Sequence, residues 1–374
     1  VHTPICDRLG CDVPIFAFSH CPDVVAAVAK AGGFGVLGAS TFSPERLDLE
    51  LRWIDEHTGG RPYGVDVLIP TTYDEAAERS PAELEALIPA EHRQFLAGIL
   101  EDAGVPELAP DDLARLRYEL AAGRGGMTPD GARRLLATAM GHDQVRMVVS
   151  ALGAPPPDVV EQVSDHGAVL GALCGKARHA IRQVDAGVEV VIAQGTEAGG
   201  HTGDIATMVL VPEVVRSVGR AATVLAAGGI AHGSQIAAAL ALGAEGVWCG
   251  TVWLGTRESE LNDFERKVLI DTGSDGTVRS RARTGKPVRM IRSELSEAWD
   301  RPDAPPVLPT PLQGVLYNEA HARVVRAGRR ELYSAPAGQV VGSITEETSV
   351  REVMYRMQEE YLETMDRLLA LSRP

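Results

Sequence analysis

Apolar runs rich in β-branched residues alternate along this chain with longer amphipathic stretches, the pattern of repeated strand–helix units on a parallel sheet. Pro14-Ile15-Phe16-Ala17-Phe18 reads as a strand. A helix follows from Pro22 through Ala31, with proline in its first turn and Gly32-Gly33 at its end. Phe34 to Ala39 forms a second strand, Ser43-Pro44-Glu45 opens a helix running to about His57, and Tyr63 to Pro70 forms a third strand. After an interruption the rhythm resumes, with strands over Arg146–Gly153, Ala168–Cys174, Val188–Gln194, Thr223–Ala227 and Gly246–Leu254. Pro155-Pro156-Pro157-Asp158 opens one intervening helix, and Ile236–Leu242, rich in alanine, forms another. Eight such units predict an α/β chain folded as a (β/α)8 TIM barrel. An open doubly wound sheet is the alternative, weakened because no G-x-G-x-x-G follows the first strand.

The interruption, residues 74–142, is helix-rich, charged and broken by Pro and Gly, and is longer than one crossover helix needs. It predicts an insertion above the barrel, in the position of a lid. From about residue 259 the pattern becomes irregular: a basic segment, a stretch with Pro302, Pro305, Pro306, Pro309 and Pro311, then a long helix from Ser349 to about Leu371. The expected organisation is a barrel over 1–258 carrying the insertion, and an extension over 259–374 that packs on the barrel rather than folding alone. The long helix offers a surface for a homodimer.

Composition narrows the function classes. A hydrophobic fraction of 45% is ample for a sizeable core. A net charge of −15 argues against a nucleic-acid surface. No apolar run reaches the about 18–20 residues of a membrane span. Val1-His2-Thr3-Pro4 lacks a basic region followed by an apolar one, so no retained secretory signal is expected. Five cysteines without a framework or zinc spacing suit a reduced, cytoplasmic protein with no metal site.

Candidate chemistry concentrates at two places. Residues 193–204, Ala-Gln-Gly-Thr-Glu-Ala-Gly-Gly-His-Thr-Gly-Asp, follow a buried strand and so lie at its carboxyl end, where loops of parallel α/β folds converge on ligands. The glycines allow close approach of the backbone, and His201 adds a side chain that titrates near neutrality. Glu197 either orients this loop or His201, or is a solvated carboxylate. The second place pairs Gly228-Gly229-Ile230 with Gly250-Thr251, two glycine-bearing strand ends separated by one helix, the phosphate grip of many barrels. The plainer reading is that these glycines only permit tight turns.

These segments resemble the signature regions of the nitronate monooxygenase (2-nitropropane dioxygenase) family. The likeness extends through Ala226-Ala227-Gly228-Gly229-Ile230, the N-terminal Pro14-Ile15 and Ala31-Gly32-Gly33-Phe34-Gly35, and Thr284-Gly285-Lys286-Pro287, about two-thirds of the chain. The resemblance implies a TIM barrel holding FMN non-covalently, without a metal. Carried over by position, FMN contacts fall on Ala17, Phe18, Asp66, Gln194, Gly199, Gly200, Gly228, Gly229, Trp248, Cys249, Gly250 and Thr251, and the catalytic histidine on His201. Two departures stand out. The first strand ends Ala17-Phe18-Ser19-His20, where the family commonly has proline and methionine beneath the flavin. Asp66 replaces the usual asparagine; as a carboxylate it accepts hydrogen bonds but cannot donate them.

The remaining candidates carry plainer readings beside sharper ones. His20 is a second pocket histidine or a structural one. His232 sits at the phosphate end or caps the next helix. Cys174 and Cys249 end strands facing the barrel mouth, as packing residues before nucleophiles. Arg279, Arg281, Arg283, Lys286, Arg289 and Arg292 form a basic island, either a charged face or a landing site for the phosphates of coenzyme A or an acyl carrier. The reading that follows is an FMN-dependent oxidoreductase that converts nitronates or nitroalkanes with O2 into a carbonyl compound and nitrite. One rival is an FMN-dependent NAD(P)H reductase of enoyl thioesters or quinones; the other is a barrel that binds a phosphorylated ligand without redox catalysis.

Overall fold

The computed structural model describes residues 1–69, 79–124 and 128–372. Eleven strands occur among them: β1 Ile15–Ser19, β2 Phe34–Gly38, β3 Tyr63–Val67, β4 Val145–Ser150, β5 Val169–Cys174, β6 Val190–Gln194, β7 Gly200–His201, β8 Thr223–Ala227, β9 Gly246–Cys249, β10 Thr277–Ser280 and β11 Val288–Ile291. Eight close into a parallel barrel in the order β1-β2-β3-β4-β5-β6-β8-β9, with β9 returning to β1 at Ala17↔Cys249. The chain is a TIM barrel with additional helices. A small sheet, β10-β11-β7, sits beside it.

Six of the eight barrel strands are shorter than the apolar runs that predicted them, while Thr223–Ala227 matches its run. The eighth shows why. Val252 and Trp253 remain buried, but Thr251–Gly255 is a 3-10 helix, and an apolar run alone cannot tell a buried strand from a buried helical turn. The expected end of the third strand, Pro70, lies outside the described residues.

Strand alternation divides the core in two. Inward side chains, among them Phe16, Phe34, Val36, Met147, Val149, Ile192, Leu225 and Trp248, fill the barrel. The helix Pro4–Leu9, not signalled by the sequence pattern, adds Ile5, Cys6 and Leu9 to this cluster. Outward side chains, such as Ile15, Ala17, Val65, Val67 and Val191, pack under the surrounding helices.

A further cluster joins the stretch after β3 to the C-terminal part of the chain. Ile88, Leu96, Leu100 and Val105 pack with Trp299, Leu308, Leu316, Tyr317, Ala320 and Val324, bringing the helices Pro81–Leu87 and Ala90–Asp102 against Leu312–Ala327. The helix Pro129–Ala139 instead lies on β3 and on the helix Pro44–His57. Residues 74–78 and 125–127 of the expected insertion lie outside the described residues. The last helix, Val350–Leu371, packs on Gly233–Ala241 and Pro22–Lys30. No helix among the described residues is long and apolar enough to cross a membrane.

Candidate active site

His201 is positioned by a strand pair that local sequence does not reveal. The loop after β6 turns back as β7, which pairs antiparallel with β11 in the register His201↔Val288 and Gly200↔Arg289. Next to that pairing, His201 Nδ1 lies 3.0 Å from the Pro287 carbonyl. A carbonyl only accepts, so Nδ1 carries the proton and the neutral ring keeps its lone pair on Nε2. The residue is exposed overall, yet desolvation of the ring lowers its pKa; the Pro287 bond opposes this, and Lys286 and Arg283 lower it further. The result is an imidazole held neutral, with one nitrogen anchored and the other open.

The loop between β6 and β7 is fixed from both sides. Glu197 reaches the start of the helix Thr207–Val218 and accepts from the Thr207 N–H at 3.0 Å and 3.1 Å. It occupies the favourable position for an anion at a helix N-terminus. The Thr207 hydroxyl lies 2.9 Å from this carboxylate and 2.9 Å from the Gly228 carbonyl, tying the loop to the end of β8. Glu197 therefore orients the loop rather than His201. On the other side, Gln339 N–H donates to the Glu197 carbonyl at 2.9 Å, and Gly338 N–H to Thr251 Oγ1 at 2.8 Å. Arg289 Nε donates to the Thr196 carbonyl at 2.7 Å. The clamp at 337–339 has no signal in the sequence, because its partners come together only on folding.

At the ends of β8 and β9 the backbone forms a cradle. Gly228 and Gly229 have φ of 101° and 71°, a left-handed turn that glycine adopts without penalty. The Ala227↔Trp248 register sets this turn beside Gly250 and Thr251. The N–H groups of Gly228, Gly229, Gly250 and Thr251 find no acceptor among the described residues. Nothing lies within 4 Å of where a Gly250 side chain would begin. Unclaimed donors over open space, at the start of a short helix, suit a phosphate dianion. The neighbouring helix start is taken: Glu360 of the last helix accepts from Gly233 N–H at 2.7 Å, and Gln235 accepts from the N–H groups of Ala231 and His232. His232 stands at the N-cap position, but its ring pairs with Glu360 at 3.3 Å and meets Ser343 Oγ at 3.1 Å, so Glu360 rather than the imidazole caps this helix.

The rest of the mouth is aromatic on one side. Phe18 stacks on Trp248 with centroids 6.0 Å apart, and Trp248 on Phe16 at 6.5 Å. His20 meets Phe18 edge-on and donates from Nδ1 to the Gly38 carbonyl at 2.9 Å. Asp66 lies at the upper end of β3, buried, with burial pushing its pKa well above the ordinary carboxylate range. Gln194 ends β6 and is half-buried.

Some expected positions are turned away. Ala17, Cys174 and Cys249 fall on the outward phase of their strands and pack beneath the helices, leaving only backbone to face the mouth. Burial pushes both thiols up to about 12, which makes them poor nucleophiles. Thr251 spends its hydroxyl oxygen on Gly338. The basic island is largely internal bracing: Arg279 bonds Asp204 and the Thr202 carbonyl, Arg281 the Gly285 carbonyl, Arg283 the Ser334 carbonyl, and Arg292 pairs with Glu297.

The chain is similar to known proteins over nearly all its length. The family model described as nitronate monooxygenase matches residues 14–360. A Mycobacterium tuberculosis protein named as a monooxygenase is 50% identical over 379 residues, covering 99% of each chain. An octahydroindene-carboxyl-CoA dehydrogenase of the same organism is 30% identical over 302 residues, covering 79% of this chain and 68% of its own. The structure of nitroalkane oxidase from Streptomyces ansochromogenes superposes with a TM-score of 0.78 at 28% identity, over 97% of this chain and 99% of that one. A closed parallel barrel with these loops at its mouth, matched by the family model over nearly all its length, belongs to the nitronate monooxygenase family, and the chain is a flavin oxidoreductase of that type.

Proposed function

We propose that this chain binds FMN and oxidises nitronates with O2, taking neutral nitroalkanes through proton abstraction by His201. The reading is carried by the anchored, neutral imidazole at the mouth, with Nδ1–H held by Pro287 and Nε2 free. The N–H groups of Gly228, Gly229, Gly250 and Thr251 would hold the phosphate, and Phe18, Asp66, Gln194, Gly199, Gly200 and Trp248 would border the ring. Ala17 and Cys249 would contribute backbone only.

In this reading Nε2 removes the proton from the carbon bearing the nitro group. The imidazolium so formed then donates to the resulting nitronate and pairs with its charge. Lys286 and Arg283, which form no ion pair among the described residues, lower the pKa of His201 and favour an anionic substrate nearby. When bound, FMN supplies the electron acceptor, and O2 the oxidant that completes conversion to carbonyl compound and nitrite.

The test is His201→Asn. FMN should still bind and preformed nitronate should still turn over, while neutral nitroalkane does not. Full activity of that variant on neutral nitroalkane would remove His201 from the chemistry.

The second reading, an NAD(P)H-dependent reductase of thioesters or quinones, draws support from the similarity to a CoA-thioester dehydrogenase. Anaerobic mixing with NADH or NADPH separates the two: rapid bleaching of the flavin favours the reductase, and inertness toward both favours the monooxygenase.

A further inference from the structure

Strand alternation aims Asp66 into the mouth of the barrel. On β3 the side chains of Tyr63, Val65 and Val67 pack outward, so Gly64 and Asp66 face the axis. Gly64 lies low, against Phe34 and Val36. Asp66 is one layer higher, level with Gly38 on β2 and Val149 on β4. Its backbone is held, with the Ala39 N–H donating to the Asp66 carbonyl at 2.8 Å. The residue is 5% exposed, and its carboxyl has no hydrogen-bond or ion-pair partner among the described residues.

A buried polar group without a partner is unfavourable, and a buried unpaired charge far more so. Among the described residues, none offers Asp66 a charge. β2 presents Gly38 and β4 presents Val149. From the end of β1 come Phe18 and His20, both lying against Gly38; His20 commits Nδ1 to the Gly38 carbonyl and forms no ion pair with Asp66. Burial is accordingly the cause of the raised pKa, and the carboxyl keeps its proton where an exposed aspartate is ionised. In the ring of eight strands β3 stands across from β8, so a ligand gripped by its phosphate at β8 and β9 extends its other end toward β3.

We propose that Asp66 serves as a neutral carboxylic acid whose O–H donates a hydrogen bond to an acceptor atom on the edge of the bound flavin ring. The proposal rests on the FMN reading above. It reverses what the carboxylate form implies: a protonated Asp66 supplies the donor that an asparagine amide would supply. Binding then requires this proton. Once the pH exceeds the carboxyl's pKa in the free protein, each further unit weakens FMN binding about tenfold, until the pKa in the complex is passed.

Two measurements test this. The first is infrared difference spectroscopy of apo-protein, wild type minus Asp66→Asn, which reads the carbonyl band of a protonated carboxylic acid at neutral pH. The second is the FMN dissociation constant by flavin fluorescence, from mildly acid pH to past the pH at which the apo-protein loses that band. A carboxylic-acid band in wild type, with FMN binding that weakens as pH rises in wild type but not in Asp66→Asn, is the expected result. Absence of the band overturns the neutral acid. A band accompanied by identical pH dependence in both proteins overturns the contact with the ring. Failure of wild type to bind FMN at any pH overturns the cofactor reading and this contact with it, while the band still reports the protonation of Asp66 separately. Should Asp66→Asn fold poorly, pH-independent binding by wild type alone suffices to refute the proposal.

Discussion

Gly338→Ala tests whether the C-terminal extension sets the shape of the cofactor loop. The backbone at Gly338, with φ −80° and ψ 170°, accepts alanine without strain. The obstacle is space. A Cβ there would lie 2.6 Å from the Glu197 carbonyl oxygen, 2.9 Å from Gly199 N and 3.2 Å from the Ala198 carbonyl carbon. All three are backbone atoms and none can rotate away. Overpacking of this kind costs about 1–3 kcal/mol. Relief comes either from pushing residues 197–199 toward the mouth or from withdrawing 337–339, which lengthens the Gly338–Thr251 bond. If the strain is relieved in the mouth, it appears as FMN affinity reduced by about 5- to 150-fold. If it stays in the apo-protein, it appears as a lower Tm. Titration with FMN and thermal melts with and without FMN together read both outcomes. A folded variant with unchanged Kd and unchanged Tm would refute the claim that this contact locks the loop.

Other predictions follow from the same geometry. Activity on neutral nitroalkanes rises with pH through the lowered pKa of His201, because only the unprotonated ring acts as base. Lys286→Met removes a cation that depresses this pKa, so the rising limb of kcat/KM moves to higher pH; a shift the other way, or none, contradicts the assignment. Nitrogen-15 NMR of labelled histidine should show His201 protonated at Nδ1, and a signal for the Nε2–H tautomer would break the Pro287 anchor. Glu360→Gln removes the anion that caps the helix Gly233–Ala241 and should destabilise the protein by about 0.5–2 kcal/mol, read as a lower Tm, while FMN affinity is unchanged. A large loss of FMN affinity in that variant would mean this helix start belongs to the phosphate cradle after all.

The barrel was legible in the chain because its signal is local and repeated. Each strand is a short β-branched run bounded by turn residues, and the register of neighbouring units follows from closure. The glycines after β6, β8 and β9 were legible for the same reason: a tight turn or a close backbone approach excludes a side chain at that position, whatever the partner. His201 stood out as the titratable group among them.

What the chain did not disclose involves partners far apart in sequence. The tautomer of His201 depends on Pro287, delivered by a strand pairing over some eighty-six positions. The helix start at Gly233 is capped by Glu360, 127 positions away. Composition could not tell that Arg279, Arg281 and Arg283 are spent on bracing. At Ala17 and Cys249 only the backbone faces the mouth, which adjacency in sequence does not show because it ignores the alternation that turns every second side chain of a strand outward. Asp66 reads as a carboxylate in the sequence because ionisation at neutral pH is the ordinary state of aspartate; its burial without a partner among the described residues, a property of the closed barrel, is what raises its pKa and carries the proposal of a neutral acid. The sequence determined the path of the backbone, while the tertiary structure decided which groups share a space and hence their charge.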